Sequence, residues 1–172
     1  MFGRIPKTPI AEEDRKIVDP DRSRERTMNR AIRLLAAKPR SIAELRGRLL
    51  EKPWTDAAIV EAVLAKLKEY NYLDDDQYAR DLALSKLRQK PQGRRRLEQR
   101  LSRKKLDRPT LDAAIKAAYE VMPESELIDT AIEKRLRLKG SPKTHDERKK
   151  FTEQLLRQGF DYGLIREKLS SL

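Results

Sequence analysis

The chain has no cysteine, which excludes disulfides, thiolate metal sites and cysteine nucleophiles. Its six glycines are too few for a phosphate-cradling loop, and neither GxGxxG nor GxxxxGK(S/T) occurs. Aromatic residues make up 5% of the sequence, so there is material for neither a large aromatic core nor a base-stacking platform. The single histidine, His145, follows a proline-containing linker in a charged stretch and reads as solvated surface. No apolar run approaches the roughly 20 residues that a membrane span needs, and the start, MFGRIPKTPIAEEDRK, lacks the apolar segment of a secretory signal. These absences leave a cytoplasmic chain with no membrane association, no cofactor, no metal site and no constellation for catalysis. The expectation is a protein that acts by binding.

What the sequence has in quantity is charge. Charged residues make up 40% and apolar residues 38% of the 172, a balance suited to thin helical units that each bury one stripe. Forty Lys and Arg against 28 Asp and Glu give a net charge of +12, which favours a polyanionic neighbour such as nucleic acid or a nucleoprotein.

Residues 1–26 combine Pro6, Pro9 and Pro20 with mixed charges and no sustained apolar period, and are expected to form a disordered tail. From Thr27 onward one pattern is written three times. Leu45, Leu49, Trp54, Ile59 and Val63 align with Leu97, Leu101, Leu106, Leu111 and Ile115, and again with Phe151, Leu155, Phe160, Ile165 and Leu169. The gaps are 4, 5, 5 and 4 in every copy, with successive offsets of 52 and 54 residues. Gaps of four hold side chains on one helix face. The gap after the second anchor carries a turn, EKP, RKK and RQG in the three copies. Thr55, Asp107 and Asp161 follow the third anchor and are read as N-caps. Trp54, Leu106 and Phe160 then staple against Ile59, Leu111 and Ile165.

Ser41 with Glu44, and Thr144 with Glu147, have the spacing of capping boxes, whereas Gly93 stands at the equivalent place in the middle copy. Asp74 with Gln77 opens a further helix, with Leu73 and Tyr78 placed to staple it. Three successive acids, Asp74 to Asp76, complement a helix N-terminus and are read as caps rather than metal ligands. The fold class is therefore all-α, with three tandem three-helix repeats at 27–73, 74–122 and 123–172, in an elongated array able to curve.

The charge is not shared evenly. Lys86 to Arg108 holds eleven basic residues against two acidic ones, Glu98 and Asp107. Leu97 and Leu101 take the core stripe of the helix there, leaving Arg96, Arg100 and Arg103 on one flank, beside Arg94, Arg95 and Lys104. These six are the candidate partner- or DNA-binding residues. In a helix-turn-helix reader the base contacts come from a late recognition helix. The third helix of each of the first two repeats is nearly neutral, which favours contact with phosphates or an acidic protein over sequence readout.

The segments RAIRLLAAKPRSIAELRGRLLEK, YLDDDQYA (Tyr72 to Ala79) and GRRRLEQRLSRKK resemble the RecX family, over roughly Met28 to Leu172. The resemblance implies three tandem three-helix repeats. It also implies a non-enzymatic, monomeric regulator of the RecA recombinase that binds the RecA–single-stranded-DNA filament and limits strand exchange and ATP hydrolysis. Double-stranded DNA is a further candidate partner, and direct non-sequence-specific DNA binding is the alternative function. Tyr72, Leu73, Asp74, Asp75 and Tyr78 are the motif residues, with a structural role. Family members commonly carry Gly after Lys at the turn before the third helix, where this chain has Lys52-Pro53 and Lys104-Lys105; Asn71 stands where Gly often precedes the YLDD motif.

Overall fold

The structure, a computed structural model, describes residues 10–170. Nine α-helices are seen among these residues: α1 (Pro20–Ala37), α2 (Ile42–Leu50), α3 (Ala57–Glu69), α4 (Asp75–Gln89), α5 (Arg94–Leu101), α6 (Arg108–Val121), α7 (Glu124–Lys139), α8 (His145–Arg157) and α9 (Tyr162–Ser170). Taken in threes they are the three repeats. They fall into two compact units, Met1–Tyr78 and Ala79–Leu172, with the boundary inside α4.

In the first unit α1 packs on α2 and α3. Ala31, Leu45, Leu49, Val60, Val63, Leu64, Leu67 and Leu73 form its core. The second and third repeats do not build separate cores. Ala83 and Leu87 of α4, Leu97 and Leu101 of α5, and Leu111 and Ile115 of α6 join Ile128 and Ile132 of α7, Phe151 and Leu155 of α8, and Ile165 of α9 in one cluster. A three-helix unit of this size has a marginal core by itself, and pooling two of them removes more apolar surface from water.

The expected tail is corrected by the structure. Residues 1–9 lie outside the described residues, but helix α1 begins at Pro20, not after residue 26. Asp19 caps it, its carboxylate accepting the Asp21 and Arg22 amides, and Pro20 occupies the first helical position, where its missing N–H costs nothing. Its early buried face is Ser23, Thr27 and Ala31, too small and polar to show as apolar periodicity. Thr27 Oγ1 donates to the Ser23 carbonyl at 2.8 Å and lies 3.0 Å from Thr55 Oγ1.

Thr55 is therefore not a cap, a second correction. Asp56 caps α3, accepting the Ile59 amide at 2.7 Å, while Thr55 is buried as the partner of Thr27. The staple positions shift with it, from Trp54 and Ile59 to Thr55 and Val60. Asp107 caps α6 through the Thr110 amide, and Asp161 accepts the Gly163 and Leu164 amides at the start of α9. Both capping boxes, Ser41–Glu44 and Thr144–Glu147, are formed.

The three turns in the anchor pattern are closed by three different means. At Gly159 the chain turns left-handed (φ +89), and the Phe160 amide reaches back to the Leu155 carbonyl. Lys105 takes the same left-handed region (φ 55) without glycine's freedom. Pro53 cannot, because its ring fixes φ near −65°. There the N-terminal segment supplies the missing donors: Arg15 Nη1 donates to the carbonyls of Thr55 (2.6 Å) and Lys52 (3.3 Å), and the Lys16 amide donates to Pro53 (2.7 Å).

Candidate polyanion-binding site

Helix α5 carries the charge, and the way it is seated decides which charges face outward. Leu97 and Leu101 are fully buried in the shared core. Gly93, the N-cap, makes no side-chain cap. Its amide donates to the Gln158 carbonyl at 3.0 Å, and the backbone of the α8–α9 turn lies so close that a Cβ on Gly93 would sit 2.2 Å from Gly159 C and O. The reverse holds as well, since a Cβ on Gly159 would sit 2.4 Å from Arg96 N. Two residues without side chains thus dock the start of the basic helix on the third repeat.

A second clamp comes from α6 and α7. The Arg94 amide donates to the Glu124 carboxylate at 3.0 Å, so an acid from α7 meets the positive end of α5. The Arg94 guanidinium lies over the Tyr119 ring, 5.3 Å from its centroid. The Tyr119 hydroxyl donates to the Gln92 carbonyl at 3.0 Å. Burial, reinforced by the Glu124 carboxylate and opposed by Arg94, pushes this phenol well above its ordinary pKa, so it stays a neutral donor.

Arg94 thus seats the helix through its amide and rests its exposed side chain over Tyr119, on the flank opposite the other arginines. Arg95 points away from the core, Arg96 and Arg100 line the remaining flank, and Arg103 follows in a 3-10 turn, Ser102–Lys104, directly after α5. Arg95, Arg96 and Arg103 are exposed, and Arg100 and Lys104 are half-buried. Arg96 is steadied by a bond to Gln99 at 3.1 Å. Among the described residues, no carboxylate forms an ion pair with Arg95, Arg96, Arg100 or Arg103. The two acids of the segment are engaged elsewhere. Glu98 pairs with Arg108 at 2.5 Å, and Asp107 caps α6. The arrangement leaves a row of guanidinium groups on a fixed helix, suited to phosphate or carboxylate oxygens.

The YLDDDQYA segment works differently. Leu73 enters the first core, and Asp74 caps α4 by accepting the Gln77 amide at 2.9 Å. Asp75 accepts the Ile42 amide at 2.9 Å, capping α2 from outside. The Tyr78 hydroxyl lies 3.4 Å from Glu44 Oε2, the acid of the α2 capping box. Two of the three acids are thus used on helix ends, and Tyr72 stays exposed. His145, the first residue of α8, is exposed too.

Comparison with known proteins bears on both segments. The chain matches the family models for the first three-helix domain of RecX, over residues 28–67, and for its second three-helix domain, over residues 74–115. It is 36% identical over 141 residues to the regulatory protein RecX of Chlorobaculum tepidum, covering 81% of this chain and 84% of that one. The chain belongs to the RecX family. The regulatory protein RecX of Prosthecochloris aestuarii is 34% identical, over 88% of this chain and 97% of the relative. A crystal structure of RecX from Lactobacillus salivarius superposes with a TM-score of 0.77 over 88% of this chain and 99% of that one; at 19% identity it speaks for the fold.

On the RecX domains, α5 and its arginines fall inside the second matched range, while Tyr72 and Leu73 lie between the two ranges. The residues that seat α5, namely Gln92, Gly93, Tyr119, Glu124 and Gly159, did not stand out in the sequence. Gly93 and Gly159 each fit a local role as cap and turn, and nothing in the sequence joins residues so far apart. Among the described residues no helix is long and apolar enough to cross a membrane.

Proposed function

We propose that this RecX-family chain is a non-enzymatic modulator of the RecA recombinase. It binds the RecA–single-stranded-DNA filament and limits strand exchange and ATP hydrolysis, in recombination, DNA repair and the SOS response. The observation that carries the reading is the arginine row of α5. Among the described residues no carboxylate pairs with Arg95, Arg96, Arg100 or Arg103, although the segment holds two acids that sequence spacing alone would allow to pair with them. Arg94 and Lys104 flank that row, Arg94 as a seating residue. A rigid cationic helix on a protein with a net charge of +12 suits a nucleoprotein surface. The protein acts as a monomer in the cytoplasm.

The test is DNA-dependent ATP hydrolysis by RecA. Substoichiometric protein lowers the rate, and the triple variant Arg96→Glu/Arg100→Glu/Arg103→Glu does so far less. An unchanged rate with the native chain would sink the proposal. The same row also supports direct, non-sequence-specific DNA binding. On single-stranded DNA without recombinase, losing three phosphate contacts would flatten the log–log salt slope by about 2, at roughly 0.7 per contact. If the triple variant loses naked-DNA binding but still inhibits on the filament, the row serves DNA and inhibition lies elsewhere.

A further inference from the structure

The third repeat carries a feature that the arginine row of α5 does not use. Between α8 and α9 a groove of about 250 Å³ opens beside the core. Phe151 and Ile165, both buried, and the half-buried Leu169 form its apolar base. Exposed Arg148 and Arg166 line it, with Tyr162 at the edge, 58% exposed. Among the described residues no acidic side chain lines the groove. Among the described residues neither arginine has a carboxylate in ion-pair range. Two of the three hydroxyls that line it are already committed, Thr152 donating to the Arg148 carbonyl at 3.0 Å and Ser170 to the Glu167 carbonyl at 2.7 Å.

We infer that this groove is a docking site for an acidic protein segment bearing one apolar anchor side chain. Its size is below the roughly 300–1,000 Å³ of small-molecule sites and matches a single side chain. Apolar walls reward burying that side chain, and two unpaired guanidinium groups at the edge reward carboxylates beside it. A nucleic acid fits less well. Reading a base edge needs several neutral donors and acceptors, and with Thr152 and Ser170 turned into their own helices the groove hydroxyls offer only that of Tyr162 at its edge. A phosphate backbone needs a continuous basic track, and residues 123–172 hold eleven basic residues against nine acidic ones. The site is independent of the recombinase reading, since it rests on residues of α8 and α9 alone.

The test uses the full chain, isotope-labelled for NMR, and a short synthetic peptide of Glu and Ser around one central Phe. The peptide is expected to shift signals of Phe151, Ile165, Leu169 and Tyr162. Replacing its Phe by Ser, or introducing Arg148→Glu with Arg166→Glu, weakens binding by about tenfold or more, roughly 1.4 kcal/mol. Both arginines are exposed, so circular dichroism of the double variant should match the native chain; the mapping on native protein stands without it. Three results would overturn the inference: shifts from the peptide that map to α5, oligothymidylate shifting the groove signals while the peptide leaves them unmoved, or groove signals that move with protein concentration alone, which would mark a contact between copies of this chain.

Discussion

Adding one methyl group to either of two helix-associated glycines should give opposite results. Gly47 lies in α2 with nothing within 4 Å of where its Cβ would be. Gly47→Ala gains helix propensity and should stabilise the chain by up to about 1 kcal/mol. Gly93 has φ −81, so alanine there meets no backbone strain. The entire cost is steric, with three backbone atoms of Gly159 and Phe160 at 2.2–2.3 Å. Backbone cannot swing aside as a side-chain tip can. Overpacking costs about 1–3 kcal/mol, and this geometry belongs at the upper end. In a chain of this length that lowers the melting temperature by roughly 5–10 °C, at about 2–4 °C per kcal/mol. Thermal and urea denaturation followed by circular dichroism would measure both variants. A Gly93→Ala protein within about 0.5 kcal/mol of native, the range of an ordinary surface change, would refute the close approach of α5 to the α8–α9 turn. The seating of the arginine row would fall with it.

Other outcomes follow from individual contacts. Arg15→Ala strips donors from the Lys52 and Thr55 carbonyls and should destabilise the first unit by about 2 kcal/mol; Arg15→Lys should not restore it, because an ammonium cannot span both acceptors as the fork does, and urea denaturation checks both. Lys105→Gly relieves a left-handed residue that costs roughly 1–2 kcal/mol, part of which returns as added freedom in the unfolded chain, so a net gain of about 0.5–1 kcal/mol is expected in the same assay. Glu147 accepts the Lys143 and Thr144 amides, which hold its carboxyl below the ordinary range. With the folded pKa depressed, that contribution is complete above the ordinary glutamate value near about 4.3 and is lost as pH falls through the folded one. Glu147→Gln should therefore flatten this part of the acid limb in stability measured against pH.

Much of the fold was legible because the repeat rests on large apolar residues at fixed spacing. Leu97, Leu101, Phe151 and Leu155 are core in the structure as their spacing required. The capping boxes were legible because both partners lie within one turn. The first turns of α1 escaped notice since their buried face is Ser23 and Thr27, although Asp19-Pro20 is a recognisable helix start. Thr55 was misread for a related reason. Thr55 and Asp56 are adjacent and equally able to cap, and the choice was made by Thr27, 28 residues away. The basic row could be read from composition, but its freedom from internal pairing could not. That required seeing Glu98 turned to Arg108 and Asp107 turned to the cap of α6.

The three turns show where the repeats diverge in cost. One position must reverse the chain between the second and third helix of every repeat. Gly159 does so without strain and, lacking a Cβ, also admits the backbone of α5. Pro53 forgoes the left-handed turn and depends on Arg15, buried to 6% side-chain exposure, to satisfy the carbonyls instead. Lys105 alone of the three accepts the strained conformation with a long cationic side chain. Glycine there would remove the strain together with a positive charge directly after Arg103 and Lys104. Local rules are broken most readily where something other than stability is served. The other left-handed non-glycine residue among those described is Asn71, a type that tolerates the region. The one left-handed lysine closes the 3-10 turn that follows α5, so the costlier of the two departures falls beside the exposed charge.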